Sequence, residues 1–356
     1  MKAALKPLAA LAAAAGLLAL LLLALGASPW WTGAALWDGA FGSPLAATET
    51  LVKATPLLFC GLAVAIAFEA SLWNIGADGQ LVMGALAAGA IGPLIGSWPH
   101  PAAVAAMLAA GACGGLLCGG LCGWLRARRD VNEVISTIML NVVAAQTLSW
   151  AVHGPLIEPS HAYPESTAIA NAAALRVYFE PSRLNLGMAL GVAMAIATYL
   201  LLFHTSIGFQ LRALGRNRRA AAFFGLPIGG LTIGAMALSG AIAGIGGAVQ
   251  ISAITHRLYE TFSPGWGYEA IAVALLARLN PLALIGTAIL FGALDNGAQA
   301  MQRAQGVSPV LVQVIEAMVI MVLLAFDALS AAGFRATPSP REIAPPAPAA
   351  AKASDA

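Results

Sequence analysis

The sequence predicts an all-α protein that crosses a membrane about ten times, with some helices broken or short. Three observations predict it. Apolar residues make up 60% of the 356-residue chain and charged residues only 10%, with a mean hydropathy of +0.82. A water-soluble domain carries roughly 25% charged residues, so these charges are too few to cover a surface in water. The apolar residues come in runs close to the roughly 20 that a helix needs to cross a bilayer, and Lys and Arg cluster between the runs.

The candidate spans, in order, are 8–25, 51–73, 80–95, 102–125, 134–152, 186–203, 230–251, 268–279, 282–301 and 310–328. The first follows Lys2 and Lys6 and has small residues near Ala24 and Gly26, as a secretory signal does. The spans behind it favour an uncleaved first crossing. The third is marginal in length and the eighth is too short for a full crossing. Ten crossings put both ends on one side. Thirteen of the eighteen Lys and Arg residues then share that side, among them Arg126, Arg128, Arg129, Arg212, Arg216, Arg218, Arg219, Arg278, Arg335 and Arg341. Cytoplasmic loops collect such residues, which makes both termini cytoplasmic. Eight crossings with re-entrant half-helices buried in protein are the alternative.

Three regions lie outside the bilayer. Residues 155–183 are polar and contain Pro155, Pro159, Pro164 and Pro181, as an external loop would. Residues 205–227 are basic and read as a cytoplasmic loop. Residues 335–356, rich in Pro and Ala, read as a disordered cytoplasmic tail behind a transmembrane domain of 1–334. Within the spans, Gly111, Gly115 and Gly119, then Gly240, Gly244, Gly246 and Gly247, have the small-residue spacing that lets helix backbones approach in lipid.

Several classes of function are excluded or unsupported. A net charge of +2 gives no electrostatic case for nucleic acid. Cys60, Cys113, Cys118 and Cys122 all lie in apolar runs, with no His or carboxylate near enough to complete a metal site. None of the four lysines follows a glycine, so there is no Gly-x-x-x-x-Gly-Lys-Ser/Thr loop to hold a nucleotide. Any ATP hydrolysis belongs to another subunit. There is no His-Glu-x-x-His pattern and no Gly-x-Ser-x-Gly elbow. No cofactor or metal is expected.

Polar residues inside apolar runs are costly and tend to face a bundle interior or a water-filled route. The richest stretch runs from Glu69 to Gln80. Gly76 and Gly79 permit an unwound backbone beside Trp73, Asn74, Asp78 and Gln80. A second stretch runs from Asn132 to Asn141. Asn132 and Glu133 fit helix capping, and Thr137 and Asn141 share a face four residues apart. A third stripe contains Asp295, Asn296, Gln299 and Gln302, with Glu316 in the next span. Helix–helix hydrogen bonding explains this stripe as well as solute contact does. Lys53, near a helix end, reads as snorkelling to the interface. The loop from Arg212 through Gly215, Arg216, Asn217 and Ala221 to Gly225 combines a basic face with an apolar one at Ala221, Phe224 and Leu226. It suits either a partner protein or an anionic membrane surface.

These same residues carry a family resemblance. Asn74-Ile-Gly-Ala-Asp-Gly-Gln80 resembles the Asn-Ile-Gly-Ala-Glu-Gly-Gln motif of the bacterial nucleoside and simple-sugar ABC importer permeases, a ribose/branched-chain amino acid permease-like group. The stretch Asn132–Asn141 is similar to a second motif, and Gly215–Gly225 to the coupling region. Order and spacing agree over roughly residues 50–330. Asp78 stands where Glu is usual, which keeps the charge and shortens the reach. The resemblance implies a type II ABC importer permease-like fold in a bacterial inner membrane. It implies three partners: an ATPase with two nucleotide-binding domains, a second homologous permease, and an external substrate-binding protein, often a lipoprotein. It further implies that Arg212–Gly225 holds the ATPase-coupling helix and that the solute passes near Trp73, Asn74, Asp78, Gln80, Thr137, Asn141, Asp295, Asn296 and Gln299. The alternative is an ion-coupled transporter with Glu69, Asp78, Asp295 and Glu316 as ion sites, working without partners.

Overall fold

The computed structural model describes residues 28–305 apart from 179, together with the isolated positions 16, 23, 314 and 317. Apart from those isolated positions, the expected spans 8–25 and 310–328 lie outside them, as do Glu316 and the tail 335–356. Among the described residues the structure is helical, with three isolated β-bridges and no strand. Seven helices among the described residues are long and apolar enough to cross a membrane.

The described residues form eleven α-helices in order: α1 Pro29–Phe41, α2 Pro44–Glu69, α3 Ala77–Ile91, α4 His100–Arg129, α5 Glu133–His153, α6 Leu186–His204, α7 Ser206–Arg216, α8 Arg218–Phe223, α9 Ile228–Gln250, α10 Trp266–Leu276 and α11 Pro281–Gln305. Capping explains several starts. Ser43 accepts from Ala46 N ahead of Pro44, so α2 begins earlier than its apolar run predicts. Asn132, Asn185 and Thr205 cap α5, α6 and α7 in the same way. A π-helical turn, Ile251–Thr255, ends α9. α1 is an element the hydropathy pattern does not predict.

Helix α2 is the centre of the bundle. Of its most apolar stretch 83% is buried, against 33% for α5 and for α6, which therefore present most of their surface outward. Beside α2, helices α3, α4 and α9 approach one another at backbone distance. A Cβ on Gly115 of α4 would run into the backbone of Gly240 on α9, and one on Gly244 into Gly111. The small-residue spacing thus serves packing within the chain.

The bundle has two chemically different ends. At the basic end, Arg126 pairs with Asp130 at 2.8 Å and with Glu133 at 3.0 Å, and the ends of α4 and α2 meet α9 and α7. At the other end, the segment between α5 and α6 lies across the helix tips. Ser166 N donates to Leu258 O at 2.8 Å, Ile169 N to His256 O at 2.9 Å and Leu175 N to Ser252 O at 2.8 Å. Arg257 clasps this segment through Glu158 at 2.6 Å and Glu165 at 2.5 Å, and Arg183 pairs with Glu49 of α2. The Ser160 hydroxyl, followed by Arg257, holds Glu158 below the usual carboxylate range.

Candidate functional site

The chain breaks at residues 70–76, between α2 and α3, and folds back into the bundle. Asn74 is fully buried. Its Nδ2 donates to Gln80 Oε1 at 2.9 Å and to Ser239 Oγ at 2.8 Å, and its Oδ1 accepts from Gly76 N and Gln80 Nε2. Ser239 lies midway along α9 and in turn donates to Ala63 O of α2. This fixes the depth: α3 begins in the middle of the bundle rather than at its end. Gln80 and Thr137 are also fully buried. Asn74 and Gln80 hold each other, which leaves few free polar groups on that side. Trp73 is 54% exposed and packs on Phe68.

A second half-helix meets the first. After the π turn the chain descends through residues 256–265 without helix, and Gly265 (φ 110°) turns it into α10. Asp78, in the first turn of α3, accepts at Oδ1 from Gly267 N at 3.0 Å and from Ser263 Oγ at 2.7 Å. Asn141 of α5 closes the same junction. Its Oδ1 accepts from Gly79 N at 2.9 Å, and its Nδ2 donates to Ile75 O and to Tyr268 Oη, both at 2.9 Å. Two helix N-termini, each carrying partial positive charge, thus face one another in the apolar interior, with the Asp78 carboxylate between them. A Cβ on Gly267 would run into the backbone of Asp78, so the closeness depends on glycine.

From this junction a line of ionisable groups runs toward the far end of the bundle. Glu269 of α10 is half-buried, accepts no hydrogen bond from any described residue, and lies within electrostatic range of Asp78, Asp295 and Lys53. Lys53 of α2 donates to Asp295 of α11 at 2.7 Å. Its side chain is 15% exposed, so the expected snorkelling lysine is instead the enclosed half of an ion pair whose carboxylate is partly open. Gln299 leans on Asp295 at 3.3 Å. Asn296 faces away: it is buried and donates to Gly39 O, Ala46 O and Thr50 Oγ1, pinning the turn between α1 and α2. Sequence reading missed Glu269 and took Lys53 only for a snorkelling residue. The signal available was an ionisable residue within each apolar run.

The basic end carries the second candidate region. α7 and α8 form an elbow at Asn217, whose side chain caps α8 through Ala220 N at 3.0 Å. Gly215 abuts the end of α2, where a Cβ would strike Glu69 O. Ser71 Oγ donates to Gly215 O at 2.7 Å. Arg212 sits over the Phe203 ring at 4.9 Å. Ala221 is buried against the bundle, while Phe223 and Phe224 are 88% and 80% exposed beside Arg216, Arg218 and Arg219. The apolar face therefore divides: Ala221 holds the elbow and the phenylalanines point outward. Gly225 (φ 76°) ends α8.

The sides of the bundle offer a contrast. An apolar groove of about 590 Å³ opens between α3, α4 and α5, bordered by Met83, Leu117, Cys118, Val143 and Trp150. No ionisable carboxylate or amine lines it, so it does not suit a polar solute.

Comparison with known proteins agrees with this architecture. Residues 46–324 match the family described as branched-chain amino acid transport system / permease component. The glucose ABC transporter permease protein of Haloferax volcanii is 34% identical over 287 residues, covering 78% of this chain and 75% of its own. The guanosine ABC transporter permease protein of Bacillus subtilis is 33% identical over 293 residues, covering 81% and 83%. A nucleoside ABC transporter permease protein of Lactococcus lactis subsp. cremoris is 28% identical over 311 residues, covering 85% of each. The chain belongs to the branched-chain amino acid transport system / permease component family, and so to the multi-pass membrane subunits that carry solute through ATP-binding cassette importers.

Proposed function

We propose that this permease imports nucleosides or related simple sugars, and that the solute passes the junction of the two half-helices. The observation that carries the reading is the Asp78–Gly267 contact, where two broken helices meet in the middle of the bundle. Paired interruptions of this kind mark transport sites. Asp78, Glu269, Tyr268 and the Lys53–Asp295 pair offer hydrogen-bonding groups to a neutral, hydroxyl-bearing solute. Asn74, Gln80, Thr137 and Asn141 hold the break open to it, and Asn296 braces α11 from behind. Trp73 closes the basic side of the route and Gln299 its other side. The names of the relatives support the solute class.

In this reading the chain crosses a bacterial inner membrane about ten times. The basic end and both termini are cytoplasmic, as the cluster of Arg126, Arg128, Arg129, Arg216, Arg218 and Arg219 favours. The α7–α8 elbow, with Gly215, Arg216, Asn217 and Phe223, docks on an ATPase with two nucleotide-binding domains. A second homologous permease completes the route. An external binding lipoprotein delivers solute to the end covered by residues 154–185. ATP-driven closure pulls on the elbow, and the junction changes its affinity between the two access states, which is what releases cargo.

The test is uptake of radiolabelled guanosine, ribose and glucose by cells with and without this gene, and with and without the ATPase. Uptake that needs both supports the importer. Accumulation by vesicles containing this chain alone, without nucleotide, overturns it in favour of an ion-coupled carrier.

A further inference from the structure

Helix α1 has 13 residues and so is about 20 Å long. That is short of the roughly 30 Å hydrocarbon core. It does not cross, yet it is firmly held on one side. Thr32 and Ala40 are buried, and a Cβ on Gly39 would run into Ala300 and Gly297 of α11. Asn296 Nδ2 donates to Gly39 O at 2.9 Å. The opposite side is aromatic. Trp30, Trp37 and Phe41 fall within about 40° of one another on the helical wheel, facing away from the packed side, and are 80%, 64% and 43% exposed. Trp31 flanks them at 65%.

Such a face needs a cover, and its level in the bundle identifies one. α1 joins α2 through Gly42 and Ser43, so it lies at the end where Glu49 pairs with Arg183. At that same end Trp98, just before α4, and Trp150, in the last turn of α5, are also exposed, at 49% and 67%. Indole rings exposed on separate elements at one level form a belt. Tryptophan concentrates where hydrocarbon gives way to headgroups because its ring is apolar and its N–H needs a polar partner. We propose that α1 is an interfacial anchor, lying at the headgroup–acyl boundary of the bilayer with Trp30, Trp31 and Trp37 in the lipid. It fixes the depth of the α1–α2 turn and, through Asn296, of α11.

The experiment uses the full chain with its partners in vesicles. The chain has eight tryptophans, so the contribution of α1 is read as the emission lost in a Trp30→Phe, Trp31→Phe, Trp37→Phe variant. That difference emission is expected to be quenched at least about twofold more by lipids brominated near the headgroup than by lipids brominated at the chain end, and to resist aqueous iodide. Quenching by iodide, or by neither reagent, would overturn the proposal: the first puts the rings in water, the second under another protein. The three single Trp→Phe variants give the same reading one ring at a time, so a misfolded triple variant does not leave the question open.

Discussion

Asp78 accepts a hydrogen bond from the backbone N–H of Gly267 at 3.0 Å, joining the first turns of two helices that each begin inside the membrane bundle. The carboxylate does two things there. It caps α10 and it separates two like-signed helix ends.

Replacing Asp78 with Asn keeps the shape and removes the charge, whereas Gly267→Ala forces the helices apart. Asn can still accept the hydrogen bond, so what is lost is the charge at the helix ends, which contributes about 1–2 kcal/mol in a partly buried site. Asp78→Asn is therefore expected to leave the subunit inserted while lowering ATP-dependent uptake about tenfold, as the helix-end repulsion goes uncompensated. Gly267→Ala is expected to lose uptake entirely. Uptake per inserted subunit is the measurement, and wild-type rates in both variants would remove the junction from the solute route.

The Lys53–Asp295 pair offers a double-mutant cycle. Removing one partner of a buried pair costs about 3–5 kcal/mol, but the Asp295 side chain is 43% exposed, which lowers the expected penalty to about 1–2 kcal/mol. Lys53→Met and Asp295→Leu should each lower thermal stability in detergent. The double variant should be more stable than either single one. Additive losses would mean that the two charges do not depend on each other.

At the basic end, Phe223 and Phe224 expose their rings without supporting the bundle. Phe223→Ala with Phe224→Ala should leave insertion and thermal stability unchanged and abolish co-purification of the ATPase. Gly215→Ala should act differently. The new methyl strikes Glu69 O and detaches α7 from the end of α2, so uptake falls even where the ATPase still binds. Co-purification and uptake measured together separate the two outcomes.

The clasp of residues 154–185 makes a prediction about pH. Glu158 is held below the usual carboxylate range, first by Ser160 and then by Arg257. A depressed folded-state value means that the ionised form is favoured by folding. Its contribution is complete above the ordinary carboxylate range and is lost as pH falls through the depressed value. Protease resistance of this segment should thus stay flat through neutral and mildly acid pH and fall only below the ordinary range. Arg257→Gln brings Glu158 closer to its ordinary range, so it should lower the plateau and shrink the loss on the acid side.

The long helices were legible because each is an apolar run of nearly membrane length, and the breaks because Asn74, Asp78 and Asn141 are polar residues inside such runs. Partnerships were not legible. Lys53 and Asp295 are 242 positions apart, and only the antiparallel packing of α2 on α11 brings them together. Asn296 read as one of a polar stripe, but on a helix its neighbour faces elsewhere, so Asp295 looks into the ionisable line while Asn296 ties down a turn. α1 escaped notice since a short segment with two glycines and three indoles has neither the length of a span nor a polar face. The half-helix that meets Asp78 was not legible either: it starts at Trp266, where Gly265 reverses the backbone, and no polar residue inside an apolar run marks that turn.

The glycine seam between α4 and α9 has a mechanical consequence. Where Gly115 rests on Gly240 and Gly111 on Gly244, no side chain stands between the two chains to change rotamer or slide. Such a seam has no lubricant: any shear sets carbonyl against carbonyl. These two helices are expected to swing as a single plank, so in the proposed transport cycle the change of access falls to the unwound linkers at 70–76 and 256–265.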